Sequence, residues 1–369
     1  KEIPVQYTRK QIFEFAESEL LAIENELKVP GSNEYGRVDR VAGWFLLARM
    51  YLNAQTWINE NKYQEAYIYA TKVIADGHYP LASDYREIFL ADNNTCKEII
   101  WPLVQDGLRA QSSAGTNFYV KAFVNGPMDE LYKTGVGSRG WGNVRAKVSL
   151  VDAFDADDVM FDGNDTWGNN KKDKRAQFMT ALPNQVKDTW DVNMDMTSTF
   201  TCGYGYIKWR NVTKEDELSA SGDAYTSIDF PLFRTADAYL MAAEAILRGA
   251  SGTKSEALGY VNEVRTRAYM SGKYAKNGVR SDVSGEIGAN ELDLDFLLLE
   301  RQKELASELI RRTDLIRFGK YTKGNNWDWK NGVRLGEDVD DKYNLFPIPE
   351  SELTNNPTLV QNDGYKVIK

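Results

Sequence analysis

The stretch Pro231-Leu232-Phe233-Arg234-Thr235-Ala236-Asp237-Ala238-Tyr239-Leu240-Met241-Ala242-Ala243-Glu244-Ala245-Ile246 decides the fold. Phe233, Ala236, Tyr239, Leu240, Ala243 and Ile246 recur every three or four positions, the period of a helix with one buried stripe. The alanines let a second helix approach closely. Gly249 to Thr253 supplies a turn, and Ala257, Val261 and Val264 resume the period. The spacing therefore predicts a helix pair over Pro231 to Tyr269.

The same grammar appears on both sides. Val38 to Ala54 places Val41, Trp44, Phe45, Ala48, Tyr51 and Leu52 on one face. Tyr63, Ala66, Ala70, Val73 and Ile74 form the answering stripe, ending near Gly77 and Pro80. An earlier helix, Thr8 to Leu27, starts at a capping-box pattern of Thr8 and Gln11. A third strong helix is expected from Leu292 to Ile310, with Glu304 and Glu308 on its wet face and Arg311-Arg312 near its end. Helix pairs with small residues at the crossing and a late Pro match the tetratricopeptide pattern. Ala48 and Ala66 stand about six positions further apart than a regular repeat puts them, which predicts a longer connecting loop.

Between the pairs the pattern changes. Pro102 to Ser227 is rich in Gly, Asn, Ser, Asp and Trp and shows little helical period, apart from a short helix around Ala146 to Phe154. Thr199 to Val212 alternates and reads as a strand or hairpin. The expectation is a mainly α, tetratricopeptide-like scaffold with long loop-rich insertions and a few short strands. Its parts would be a helical repeat over 1–100, a loop-rich binding region over 101–227, a second helical repeat over 228–321 and a tail over 322–369. Long loops in a helical scaffold usually carry function.

Composition excludes several chemistries. The 369 residues hold nine Trp, 20 Tyr and 15 Phe but one His and two Cys. One His rules out multi-His zinc sites, and Cys96 and Cys202 make no CxxC pair. Whether those two cysteines pair with each other is open. A net charge of −9 without basic blocks makes nucleic acid a poor partner. No apolar run is long enough to span a membrane. His78 sits in the turn Asp76-Gly77-His78-Tyr79-Pro80, a structural place rather than that of a triad base. Chance pairs among 54 acidic residues give no support to a glycosidase.

The C-terminal motifs carry a family resemblance. Glu300-Arg301-Gln302-Lys303-Glu304-Leu305, Arg312-Thr313-Asp314-Leu315-Ile316-Arg317-Phe318-Gly319, Phe346-Pro347-Ile348-Pro349 and Gln361-Asn362-Asp363-Gly364-Tyr365 resemble the signature of the SusD/RagB family. Those proteins are surface glycan-binding lipoproteins of Gram-negative bacteria. Phe230 to Ala245 and Gly36 to Ala54 resemble the family's helices, and Trp327-Asp328-Trp329-Lys330 is similar to its starch-binding member. The chain begins at Lys1 and resembles the later two-thirds of a member, as one domain incomplete at its N-terminus. The resemblance implies non-catalytic binding of an oligo- or polysaccharide, an α-glucan first. It further implies a place on the outer face of the outer membrane, a lipid anchor on the missing N-terminal part, and delivery to a SusC-like TonB-dependent transporter. No cofactor is implied. A peptide-binding helical-repeat adaptor is the alternative reading.

A glycan site needs aromatic faces for the C–H side of a pyranose and planar polar groups for its hydroxyls. Trp141, among Gly137, Gly140 and Gly142, has few local neighbours to bury it and aligns with a stacking Trp of the starch-binding member. Where that member has a second platform aromatic, simple alignment puts Ser113, so Phe118 or Tyr119 would have to substitute. Arg109, Gln111, Asn117 and Tyr119 are the further contacts expected. Trp167 and Trp190 read as loop anchors, Trp209, Tyr204 and Tyr206 as sheet or core packing, and Trp44 and Trp57 as core. Asp152 to Asp158, with Asp162 and Asp165, could hold a structural Ca²⁺, although the spacing is not that of an EF-hand and a solvated face is the simpler reading.

Overall fold

The computed structural model describes residues 3–125, 129, 132–155, 158, 172–179, 203–270, 284–324 and 327–366. Helices dominate. Three open the chain: α1 (Arg9–Ile23), α2 (Arg40–Ile58) and α3 (Tyr63–Asp76). Thr8 caps α1 through the full capping box with Gln11. Asp39 caps α2 from the backbone N–H groups of Val41 and Ala42, and its other oxygen accepts from Tyr79 Oη at 2.6 Å and Gly31 N at 2.8 Å. The C-terminal end of α3 and the start of α2 thus share one carboxylate. His78 lies over Gly31 so closely that a Cβ there would stand 1.7 Å from the imidazole, which is the structural role expected of it.

The loop-rich region follows, crossed by β1 (Ile99–Leu103) and the short helix α4 (Thr116–Ala122). Two-residue strands, β2 (Phe178–Met179) and β3 (Gly205–Tyr206), pair antiparallel. β4 (Phe230–Arg234) pairs antiparallel with β1. It leads directly into α5 (Thr235–Leu247), then α6 (Lys254–Met270), α7 (Leu294–Leu305) and α8 (Arg311–Arg317), with α9 (Glu350–Asn355) in the tail. Helix α2 packs on α3, α3 on α5 and α5 on α6, so the loop-rich region is inserted between two stacked pairs. Ala48, Ala66, Ala70, Ala238 and Ala242 are fully or almost fully buried at these crossings. No helix among the described residues is long and apolar enough to cross a membrane.

Five expectations about the fold are corrected. Phe233 belongs to a strand rather than to the helix after it. Pro231 has no N–H for a helix and holds Phe230 extended, and it lies opposite Pro102 in an irregular ribbon. The α2–α3 connection is short, and the extra spacing between Ala48 and Ala66 is taken up by the 19-residue α2. Trp57 lies 38% exposed rather than in the core. The described part of Thr199 to Val212 contributes one two-residue strand and otherwise isolated bridges, because its side chains anchor a core instead of a ladder.

The largest correction concerns Glu304 and Glu308. Helix α7 ends at Leu305, and both carboxylates are buried. Glu304 accepts from Arg175 at 3.2 Å, from Arg234 at 2.7 Å and from Arg267. Glu308 accepts from Arg234 at 2.6 Å and from Lys208 at 2.5 Å. Glu98, Glu300 and Asp173 complete the charge balance through Arg234, Arg267, Arg175 and Arg265. The carbonyls that end α7 find donors in the same cluster: Glu304 O accepts from Arg234 Nη2 and Tyr85 Oη, and Ala306 O from Lys208 Nζ. The helix stops early because its last turn is capped from outside. A second ionic group ties α2, α5, α7 and α8: Asp237 binds Arg49 and Arg301, and Glu244 binds Arg317 and Arg248. The motif carboxylates and arginines of the C-terminal half therefore do structural duty. Arg175, from the loop-rich region, does too.

Candidate functional site

The loop from Gln105 to Gly115 is held at both ends. Gln105 N donates to Asp229 Oδ1 at 2.7 Å, and Asp229 also accepts from Tyr35 Oη. Burial, then the Asp229 carboxylate, pushes the Tyr35 phenol far above its usual range. Thr116 Oγ1 donates to Ile228 O at 2.7 Å and starts α4 against the segment that leads into β4. Helix α4 then turns Val120 inward and Phe118 outward, with Phe118 44% exposed.

The glycine loop that carries Trp141 docks on the end of α4 through backbone alone. Trp141 N donates to Lys121 O at 2.7 Å, Asn143 N and Val144 N donate to Ala122 O, and Gly142 N donates to Val124 O at 2.7 Å. Helix-end carbonyls that would otherwise lack partners fix the loop. Gly140 permits the approach: a Cβ there would lie 2.7 Å from Val124 O and 2.9 Å from the Asn125 backbone. Trp141 emerges 37% exposed, its ring centroid 6.1 Å from that of Phe118 and tilted 59° to it. The two rings form an open, angled platform.

Polar groups flank it. Arg139 pairs with Asp223 at 3.1 Å on the loop before Trp141. Lys121 reaches Ala224 O, and burial, then the charge of Arg139, pushes its ammonium below the usual range. Arg109 is almost wholly exposed beside Asp106, at 3.5 Å, and Gln111 is exposed on the same loop.

Two of the expected contacts turn inward. Asn117 is 1% exposed and donates to Ser112 O at 3.0 Å, bracing the loop from within. Tyr119 packs its ring on Trp209 and Phe230, at 5.3 and 5.7 Å, and burial raises its phenol. Adjacent helical residues point about 100° apart, and packing on Trp209 and Phe230 turns Tyr119 toward the core. Phe118 takes the outward place. Ser113 is exposed and offers no ring.

Trp209, Tyr204 and Tyr206 are buried, as expected, with Trp209 stacked on Phe230 at 5.5 Å. Trp167, Trp190, Asp157, Asp162, Asp165 and Cys202 lie outside the described residues. Asp152 and Asp155 are exposed, while Asp158 is buried and accepts from Lys172 N and Asp173 N. Among the described residues no group of three or more His, Cys, Asp or Glu side chains is placed to hold a metal. The Ca²⁺ expectation finds no cluster there.

The arrangement can present two aromatic faces to a flat, apolar ligand surface and offer hydrogen bonds at its margin. Comparison with known proteins gives it a context. The SusD family model matches residues 97–365. The chain is 32% identical to the starch-binding protein SusD of Bacteroides thetaiotaomicron, over 99% of this chain and 67% of that protein. A SusD-like protein of Formosa agariphila is 25% identical over 89% of this chain and 59% of its own length. Among solved structures, surface glycan-binding protein A of Bacteroides thetaiotaomicron in complex with laminarihexaose superposes with a TM-score of 0.66 at 22% identity, covering 97% of this chain and 72% of that one. A SusD-like protein of Bacteroides fragilis superposes with a TM-score of 0.67 at 21% identity, covering 98% and 72%. With the family model matching most of its length and a 32% identical relative aligned over nearly all of it, this chain belongs to the SusD family.

Proposed function

We propose that the protein binds an oligo- or polysaccharide without cleaving it, with Phe118 and Trp141 as the stacking platform. The observation that carries this reading is the exposed ring pair, held 6.1 Å apart on backbone-pinned segments. A pyranose presents C–H groups on one face, and two tilted rings suit a chain that curves. Arg109, Gln111 and the Arg139–Asp223 pair stand on neighbouring loops for hydroxyl contacts. Rings already fixed in place lose little freedom on binding.

An α-glucan is the first choice of ligand, because the relative at 32% identity is named for starch binding. Ser113 argues for a platform of different width, since Phe118 supplies the second ring from a different position. The setting that family membership suggests is the outer face of the outer membrane of a Gram-negative bacterium. There the protein would hand its glycan to a SusC-like TonB-dependent transporter. Affinity electrophoresis on starch, levan, mannan, xylan and host-type glycans tests the reading. Retardation without product release, weakened in Trp141→Ala, is the expected result. No retardation on any glycan, together with peptide binding, would sink it in favour of a helical-repeat adaptor.

A further inference from the structure

The tail builds a second aromatic concavity, lined by none of the platform residues. A pocket of about 400 Å³ opens between the start of α8 and the residues after it, with Tyr321, Trp327, Tyr343, Phe346 and Tyr365 contributing to its lining. That is the size range of small-ligand pockets.

Its rings are held rather than loose. Tyr321 and Trp327 lie 5.8 Å apart. The Arg312 guanidinium sits 4.3 Å from the Phe346 ring and 4.9 Å from that of Tyr321, while its Nη2 donates to Tyr343 O and Asn344 O. Lys330 Nζ lies 5.0 Å from the Trp327 ring and donates to Gly324 O. Tyr365 Oη donates to Lys342 O and Leu345 O, and Asn362 Nδ2 to Phe346 O. A tail pinned this firmly could have buried its aromatics, yet Tyr343 is 46% and Phe346 71% exposed. Arg312 Nε, in the wall, is buried without a hydrogen-bond partner among the described residues.

We infer that this pocket is a second carbohydrate subsite, taking a neutral pyranose unit of the same glycan that the Phe118–Trp141 platform binds. The inference rests on the glycan-binding reading above. The chemistry follows from the lining. Rigid rings offer faces to sugar C–H groups. Asn331 adds an amide at the margin for sugar hydroxyls, itself bonded to Glu337 at 2.6 Å. The local charge is mixed, with Arg312 and Lys330 near Glu337, Asp338 and Asp341, so a neutral ligand pays no repulsion. Two sites on one polymer chain raise apparent affinity by making the second contact intramolecular.

The test compares three variants on gels of starch, laminarin, levan, mannan and xylan: the tail variant Tyr343→Ala/Phe346→Ala, the platform variant Phe118→Ala/Trp141→Ala, and their combination. Circular dichroism and thermal melts check folding, which these exposed side chains leave intact. The expected result is on the order of tenfold weaker retardation for the tail variant, a residue of binding in the platform variant, and none in the combination. A folded tail variant retarded like the wild type overturns the subsite and leaves the platform reading standing. Loss in the tail variant alone upholds the subsite as a carbohydrate pocket and overturns the platform reading. A wild type retarded by none of the five overturns both.

Discussion

The Phe118 and Trp141 rings stand 6.1 Å apart because a helix end and a glycine loop complete each other's hydrogen bonds. Phe118→Ala and Trp141→Ala should each weaken glycan retardation on the order of tenfold, with the melting temperature little changed, since both rings are substantially exposed. Titration by intrinsic fluorescence or affinity gels would measure it. Tyr119→Ala should behave in the opposite way, costing stability before it costs binding, because its ring faces Trp209 and Phe230.

Gly140→Ala separates position from chemistry. It removes no ligand contact, yet its Cβ would press on Val124 O at 2.7 Å and lift the Trp141 loop from α4. Binding should fall toward that of Trp141→Ala while the helical signal in circular dichroism persists. Wild-type affinity in this variant would mean that the docked loop is not required.

Glu304 should prove among the least replaceable carboxylates of the fold. It is buried and shared by Arg175, Arg234 and Arg267. Burial opposes its charge, but the three guanidinium groups hold the carboxyl far below the usual range. Glu304→Ala leaves the buried cluster one negative charge short, with Arg175, Arg234 and Arg267 each losing a partner, and should cost about 3–5 kcal/mol in denaturant unfolding, or prevent folding. An exposed carboxylate such as Asp295 should cost under about 1 kcal/mol.

Acid should unfold the protein through the second ionic group. Burial opposes ionisation of Asp237 and Glu244. Arg301 and Arg49 nevertheless hold Asp237, and Arg317 above all holds Glu244, at about 2. Folded values below the unfolded 3.8 and 4.5 mean that the stabilisation is complete above those values and lost as pH falls toward about 2. Each group contributes on the order of 2–3 kcal/mol. Urea midpoints at pH 7, 4 and 3 should drop steeply only at the acid end.

Helix α1 leaves Ile12 and Phe15 exposed beside a groove of about 770 Å³ that also contains Trp57 and Phe346. An apolar surface of this kind should bind a hydrophobic dye. Ile12→Ser/Phe15→Ser should lower the dye fluorescence without lowering the melting temperature.

The helical scaffold was legible because its signal is local. The stripes over α2, α3 and α5, the Thr8 cap and the Gly77 stop each depend on residues a few positions apart. The C-terminal motifs pointed to the family, and Trp141 stood out because three glycines leave it nothing nearby to pack on. What the motif charges do was not legible. Helical periodicity places Glu304 on a face but does not say whether that face meets water or three arginines from distant segments. Likewise, either Phe118 or Tyr119 could be drawn outward on paper. The choice fell to Trp209 and Phe230, brought from far along the chain, which claim Tyr119 for the core. The sequence by itself determined which segments are helices and which residue types are available. Tertiary structure alone decided which charges are buried together and which ring meets solvent, because burial and pairing depend on neighbours that sequence distance does not reveal.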